Sequence, residues 1–193
     1  MSRKIFIISG SRNPEGRTAK ALEAVMEGAK AGGATSEMIF LNDFKLDHCR
    51  QCKMNGFGFC LDKGNCIIED DFSGIVDRIR EADLIVFGTP VYWGDLSESL
   101  KAFLDRVRRI CLHENGRAGI EGKPAVGICV AGGGGGGAVH CCFLLEQILR
   151  KAQPPLRFDV IDMVPVRKQN LEAKIEQLKI MGQWLSSVSP DVS

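Results

Sequence analysis

The chain carries almost no net charge. Its 25 Lys and Arg residues are set against 24 Asp and Glu residues in 193, a formal charge of +1, so no field steers it toward nucleic acid or an anionic membrane surface. Long apolar runs are missing too. The start, "MSRKIFIISGS", has only four apolar residues in a row before Ser9, too few for a secretory signal, and no later run approaches a membrane span. A cytoplasmic protein with neither nucleic acid nor membrane among its partners is expected. No Pro/Ser-rich linker and no block of like charge divides the sequence, so a single domain, 1–193, is expected, with disorder only in the tail "SVSPDVS". Histidine is scarce: His48, His113 and His140 share no metal-ligand spacing and receive no catalytic role. There is no Walker A loop, and the accidental G-x-G-x-x-G inside the run "GGGGGG" carries no weight.

What is present is an alternation of short apolar runs and helical patterns. The runs are residues 4–9, 35–40, 83–90, 124–132 and 156–163. A helix beginning near Arg17 or Thr18 has Leu22, Val25, Met26 and Ala29 at helical spacing and ends at Gly32-Gly33. Others are expected near 70–81, 96–110, 138–151 and 170–187. Five strands alternating with helices predict an α/β fold, a doubly wound parallel sheet covered on both faces. Runs 1, 3 and 4 are almost wholly apolar and suit central strands, while 2 and 5 carry polar residues and suit edges. The predicted order is 2-1-3-4-5, whose ligand site lies beyond the carboxyl ends of the strands.

Three loops meet there. "SGSRNPEGRTAK", 9–20, offers Ser9, Ser11, Arg12, Asn13, Gly16, Arg17 and Thr18 at a helix start, which suits a phosphate monoester or else an ordinary capped turn. "GTPVYWGDLSESLKAFLDR", 88–106, places Pro90, Val91, Tyr92, Trp93 and Gly94 at a strand end, where the aromatic groups are a wall for a planar ring or a cap on the core. In the following helix Leu96, Leu100, Phe103 and Leu104 are expected inward and Lys101, Asp105 and Arg106 outward. The third loop contains Gly132, Gly133, Gly134 and Gly135, a tract that is costly to order unless something flat lies against it.

Four of the eight cysteines crowd into "HCRQCKMNGFGFCLDKGNC", 48–66. In a reducing compartment such a cluster suggests metal rather than disulfides. Cys49, Cys52, Cys60 and Cys66 could hold a [4Fe-4S] cluster or one zinc ion, or stand as free thiols. Cys111, Cys129, Cys141 and Cys142 fall in core elements and are expected to be buried hydrophobes.

Together the loops resemble the flavodoxin-like NAD(P)H-dependent FMN reductase superfamily over nearly the whole chain. "SGSRNPEGRT" keeps Ser9, Gly10, Ser11 and Thr18 of the phosphate loop, with Arg17 where Asn is usual. "GTPVYWGDLSESLKAFLDR" matches G-S-P-V-Y-x-G-x-x-S-x-x-L-K-x-F-x-D-R. The cysteine segment is similar to that of the iron-sulfur flavoprotein branch, which inserts C-x2-C-x2-C-x(4 to 7)-C after strand 2, followed by an acidic pair. Here the spacing is Cys49-x2-Cys52-x7-Cys60-x5-Cys66, then Asp70 and Asp71, so the middle gap is about five residues longer. The resemblance implies FMN held by the three loops, a [4Fe-4S] cluster, and NAD(P)H or a ferredoxin-like donor. It also implies a small-molecule electron acceptor and a homodimer or homotetramer.

Overall fold

In the computed structural model, residues 2–53, 56–134, 136–150 and 157–187 are described. The elements run β1 Lys4–Ser9, α1 Arg17–Ala31, β2 Thr35–Phe40, α2 Phe59–Asp62, α3 Phe72–Glu81, β3 Leu84–Pro90, α4 Glu98–Ile110, α5 Glu114–Arg117, β4 Pro124–Ala131, α6 Ala138–Arg150, β5 Asp159–Arg167 and α7 Leu171–Leu185, with 3-10 turns at Leu41–Asp43 and Lys168–Asn170. The five strands form one parallel sheet in the order β2-β1-β3-β4-β5.

Alternation explains how the central strands bury both faces. Ile5 and Ile7 of β1, Leu84 and Val86 of β3, and Val126, Ile128 and Val130 of β4 point to one side, into a core closed by α1 and α7. Phe6 and Ile8, Ile85 and Phe87, Ala125 and Cys129 point to the other, under α3, α4 and α6. Strand side chains repeat every two residues, so a nearly unbroken apolar run is what a doubly covered strand requires. The edge strands alternate instead, and Pro165 sits in β5, where a missing ladder donor is tolerated. α1 and α7 pack backbone to backbone: a methyl group at Gly182 would lie 2.1 Å from the Val25 carbonyl oxygen.

Most expected boundaries agree to within about three residues. β5 starts later than expected and runs on to Arg167; its expected first residue, Leu156, lies outside the described residues, as does Lys151. Two short helices, α2 and α5, were not expected. Cys111, Cys129, Cys141 and Cys142 are all buried. Burial pushes the Cys111 thiol up to about 12, which keeps it protonated near neutrality. Among the described residues no helix is long and apolar enough to cross a membrane.

Candidate functional site

The loops after β1, β3 and β4 emerge side by side because their strands are neighbours in register, Ser9 beside Gly88 and Pro90 beside Val130. In the first loop, hydroxyl and amide side chains build the turn. Ser9 Oγ accepts from Ser11 N at 3.2 Å, Ser11 Oγ from Asn13 N at 3.2 Å, and Asn13 Oδ1 from Glu15 N at 2.9 Å. The chain then enters α1 through Gly16, whose missing side chain leaves the first turn without a side-chain cap. An uncapped first turn presents free N–H donors and the positive end of the helix dipole.

The second loop turns back sharply at Trp93-Gly94, between Tyr92 and Asp95. Tyr92 N donates to Asp95 O at 3.1 Å and Asp95 N to Tyr92 O at 3.0 Å. Both turn residues have positive φ, 53° at Trp93 and 84° at Gly94, the pattern of a type I′ turn. For a tryptophan this backbone is strained. Its ring does not cap the core: Trp93 is fully exposed and Tyr92 largely so. The turn is tied to α4, since Lys101 Nζ lies 2.7 Å from Asp95 Oδ2 and holds that carboxyl below the usual carboxylate range.

The three loops brace one another. Ser99 Oγ donates to Gly10 O at 3.0 Å, and Thr89 Oγ1 accepts from Ser97 N at 2.9 Å. A methyl group at Gly10 would lie 2.4 Å from Ser97 Oγ and 2.9 Å from Leu100 Cβ, so the first loop rests directly on the start of α4. Arg17 Nη1 would be 3.3 Å from a methyl at Gly132, which places its guanidinium beside the glycine loop, and a methyl at Gly137 would be 2.8 Å from Gly94 Cα. Beside Gly133, Gly134 and Gly136 there is open space; Gly135 lies outside the described residues. Free donors, an exposed aromatic side chain and a side-chain-free wall suit a phosphate joined to a flat ring.

The cysteine segment lies between β2 and α3, on the α4 side. Cys49, Cys52, Cys60 and Cys66 line one cavity together with Gly58, Arg106 and Arg109. The described ends of the long middle gap come together: Lys53 Nζ is 2.6 Å from Asp62 Oδ2, and a methyl at Gly58 would be 3.0 Å from Cys52 Cβ. Among the described residues, no group of three or more His, Cys, Asp or Glu side chains is arranged to hold a metal ion. The donor set itself, four thiols around one cavity beside a buried guanidinium, suits a thiolate-ligated group.

Arg106 is where the structure corrects the sequence reading. It was expected to face outward, yet its side chain is 2% exposed and faces the 1% exposed carboxylate of Asp70. Nη1 donates to Asp70 Oδ2 at 2.6 Å and to Asp47 O at 2.9 Å; Nη2 donates to Asp70 Oδ1 at 2.9 Å and to Cys66 Sγ at 3.3 Å. Burial works to raise the Asp70 carboxyl, but donors from Arg106, Asp47 N and Phe72 N outweigh it and hold it below its usual value. Burial likewise works against the Arg106 charge, and the bonds to Asp70 and Cys66 more than restore it. Lys101 and Asp105 do face solvent. Arg109, one turn along, donates to Gly56 O and lies over the Phe57 ring at 4.9 Å. Thr89, Ser97, Ser99, Arg109 and Gly137 also escaped the sequence reading; the phase of Ser97 just ahead of an apolar helix stripe was the available signal for its capping role. His48 pairs with Glu98 at 3.0 Å on the surface.

This is a doubly wound, flavodoxin-like α/β architecture with its loops gathered at the carboxyl ends of β1, β3 and β4. Residues 3–175 match the family described as NADPH-dependent FMN reductase, and the chain belongs to that family of flavin-dependent oxidoreductases. It is 36% identical over 148 residues to an iron-sulfur flavoprotein of Methanocaldococcus jannaschii, covering 76% of this chain and 74% of that one. With an iron-sulfur flavoprotein of Methanosarcina thermophila it shares 35% identity over 103 residues, so the match spans 53% of this chain and about half, 51%, of that relative. Among solved structures, an NAD(P)H:quinone oxidoreductase from Methanothermobacter marburgensis has the same fold, with a TM-score of 0.66 at 22% identity and 98% of each chain covered.

Proposed function

We propose that this protein is an FMN-dependent electron-transfer oxidoreductase in which Cys49, Cys52, Cys60 and Cys66 hold a [4Fe-4S] cluster. The observation that carries the reading is the convergence of those four thiols on one cavity, with Arg106 bonded to Cys66, in a chain of this family. When bound, FMN supplies hydride and single-electron chemistry and a cluster supplies single-electron transfer.

The chain's own residues bind and orient. Ser9, Ser11, Arg12, Asn13, Gly16, Arg17 and Thr18 receive the phosphate, the backbone from Pro90 to Gly94 borders the ring, and Gly132 to Gly135 border its opposite edge. No side chain is assigned as acid or base. A small-molecule acceptor, a ferredoxin-like donor and NAD(P)H are the exchange partners proposed, in a cytoplasmic setting. Tyr92, Trp93, Val139 and Phe143 expose apolar surface around the glycine loop, which supports assembly into a homodimer or homotetramer.

One observation favours a second reading, an NAD(P)H-dependent FMN or quinone reductase whose cysteine segment is structural. Arg106–Asp70 and Lys53–Asp62 already brace that segment without a metal. The deciding measurement is an absorption spectrum of anaerobically purified protein, with iron and acid-labile sulfide assayed on the same sample. Flavin bands with about four irons per chain support the cluster. Flavin bands with zinc, or with no metal, overturn it in favour of the second reading, which steady-state NAD(P)H oxidation then tests.

A further inference from the structure

The Arg106 guanidinium is held through both of its outer nitrogens, while its buried Nε has no partner among the described residues. Its two outer nitrogens clasp both oxygens of Asp70, one of them also reaches Asp47 O, and the ring of Phe72 lies 4.1 Å from its central carbon. The remaining bond goes to Cys66 Sγ. A planar fork pinned to a carboxylate at two points cannot swing, so the arm that reaches the sulfur is fixed relative to α4. Both partners of the ion pair are buried, so water does not compete for the clasp that aims this arm. Bracing of the fold needs the clasp on Asp70 and Asp47; it does not need a donor aimed at the thiol of a ligand cysteine.

We propose that Arg106 is a positioning residue for the electron-transfer centre: it fixes the Cys66 sulfur as a ligand and, by donating to it, raises the reduction potential of the cluster. This rests on the cysteine-ligated cluster proposed above. Reduction adds one electron to the cluster, with no bond made or broken, and part of that charge falls on the ligating sulfurs. A donor aimed at a sulfur stabilises the reduced form more than the oxidised form. Asp70 cancels much of the guanidinium's charge at longer range but leaves the donated bond intact.

The test is a dithionite titration of anaerobic protein, reading cluster and flavin potentials separately by absorption and electron paramagnetic resonance. In Arg106→Met/Asp70→Asn the donor is gone and the neutral pair leaves no buried charge. The cluster's reduction equilibrium is then expected to shift about tenfold toward the oxidised form, or about 59 mV for one electron, with the flavin potential unmoved. Asp70→Asn alone leaves Arg106 uncompensated and is expected to shift the cluster the opposite way. A purely structural role predicts no such reversal of sign. Unchanged cluster potentials in iron-replete variants, or shifts of one sign in both, overturn the assignment. If the double variant does not fold, Arg106→Lys, which keeps charge but loses the fork, is read the same way: a negative shift supports the inference and none overturns it. Wild-type protein without iron instead overturns the cluster reading on which this inference stands.

Discussion

The loops at the strand ends and the cysteine segment are positioned by different means. The loops after β1, β3 and β4 are placed by the sheet: strand register sets where each begins, and backbone contacts at Gly10, Gly94 and Gly137 set how closely they meet. Among its described residues the cysteine segment has no strand and one short helix; it is tied down by side chains. Asp70 and Asp71 take N–H donors from Asp47 and Lys45, and Arg106 closes the arrangement from α4. A site built from backbone resists loss of any one polar side chain. A site built on one buried ion pair does not.

The largest expected break in that contrast is Arg106→Leu. It leaves the buried Asp70 carboxylate without its counter-ion, which is expected to cost about 3–5 kcal/mol in denaturant unfolding, while Arg106→Leu/Asp70→Asn, which removes the charge but keeps an acceptor for Asp47 N and Phe72 N, recovers part of the loss. Acid is expected to release the same segment. Because the folded Asp70 carboxyl sits below its usual value, its stabilisation is full above about pH 4, where the unfolded carboxyl is also ionised, and is lost as pH falls through the folded value. Hydrogen exchange at residues 44–71 should rise in that window before the central strands exchange. On the backbone-built side, Gly10→Ala pushes a methyl into Ser97 Oγ and Leu100. It is expected to cost about 1–3 kcal/mol and to weaken FMN retention without disturbing iron content; a variant that loses iron but keeps FMN would erase the distinction between the two regions.

The division also explains what the sequence disclosed. Strands buried on both faces must be apolar throughout, so β1, β3 and β4 and their central places were legible from composition alone, as were the polar edges. The loops were legible as candidates because glycine and hydroxyl residues punctuate strand ends. Arg106 was not, because residue type argued for solvent while helical phase argued for the core: it lies three residues after Phe103 and four before Ile110, both buried. Its partner, Asp70, is 36 residues away in sequence, and no local pattern links two residues so far apart. The bond between Ser99 and Gly10, 89 residues apart, escaped for the same reason.

α4 touches both regions, and its stiffness has a metrical consequence. Ser97 at its head caps the helix beside the first and second loops, and Arg106 on its third turn grips the cysteine cavity. At 1.5 Å per residue the two lie about 14 Å apart along the axis. The helix is a ruler inside the molecule: a residue inserted between Ser97 and Arg106 would lengthen that span by about 1.5 Å and swing the guanidinium by about 100°, off the cavity altogether.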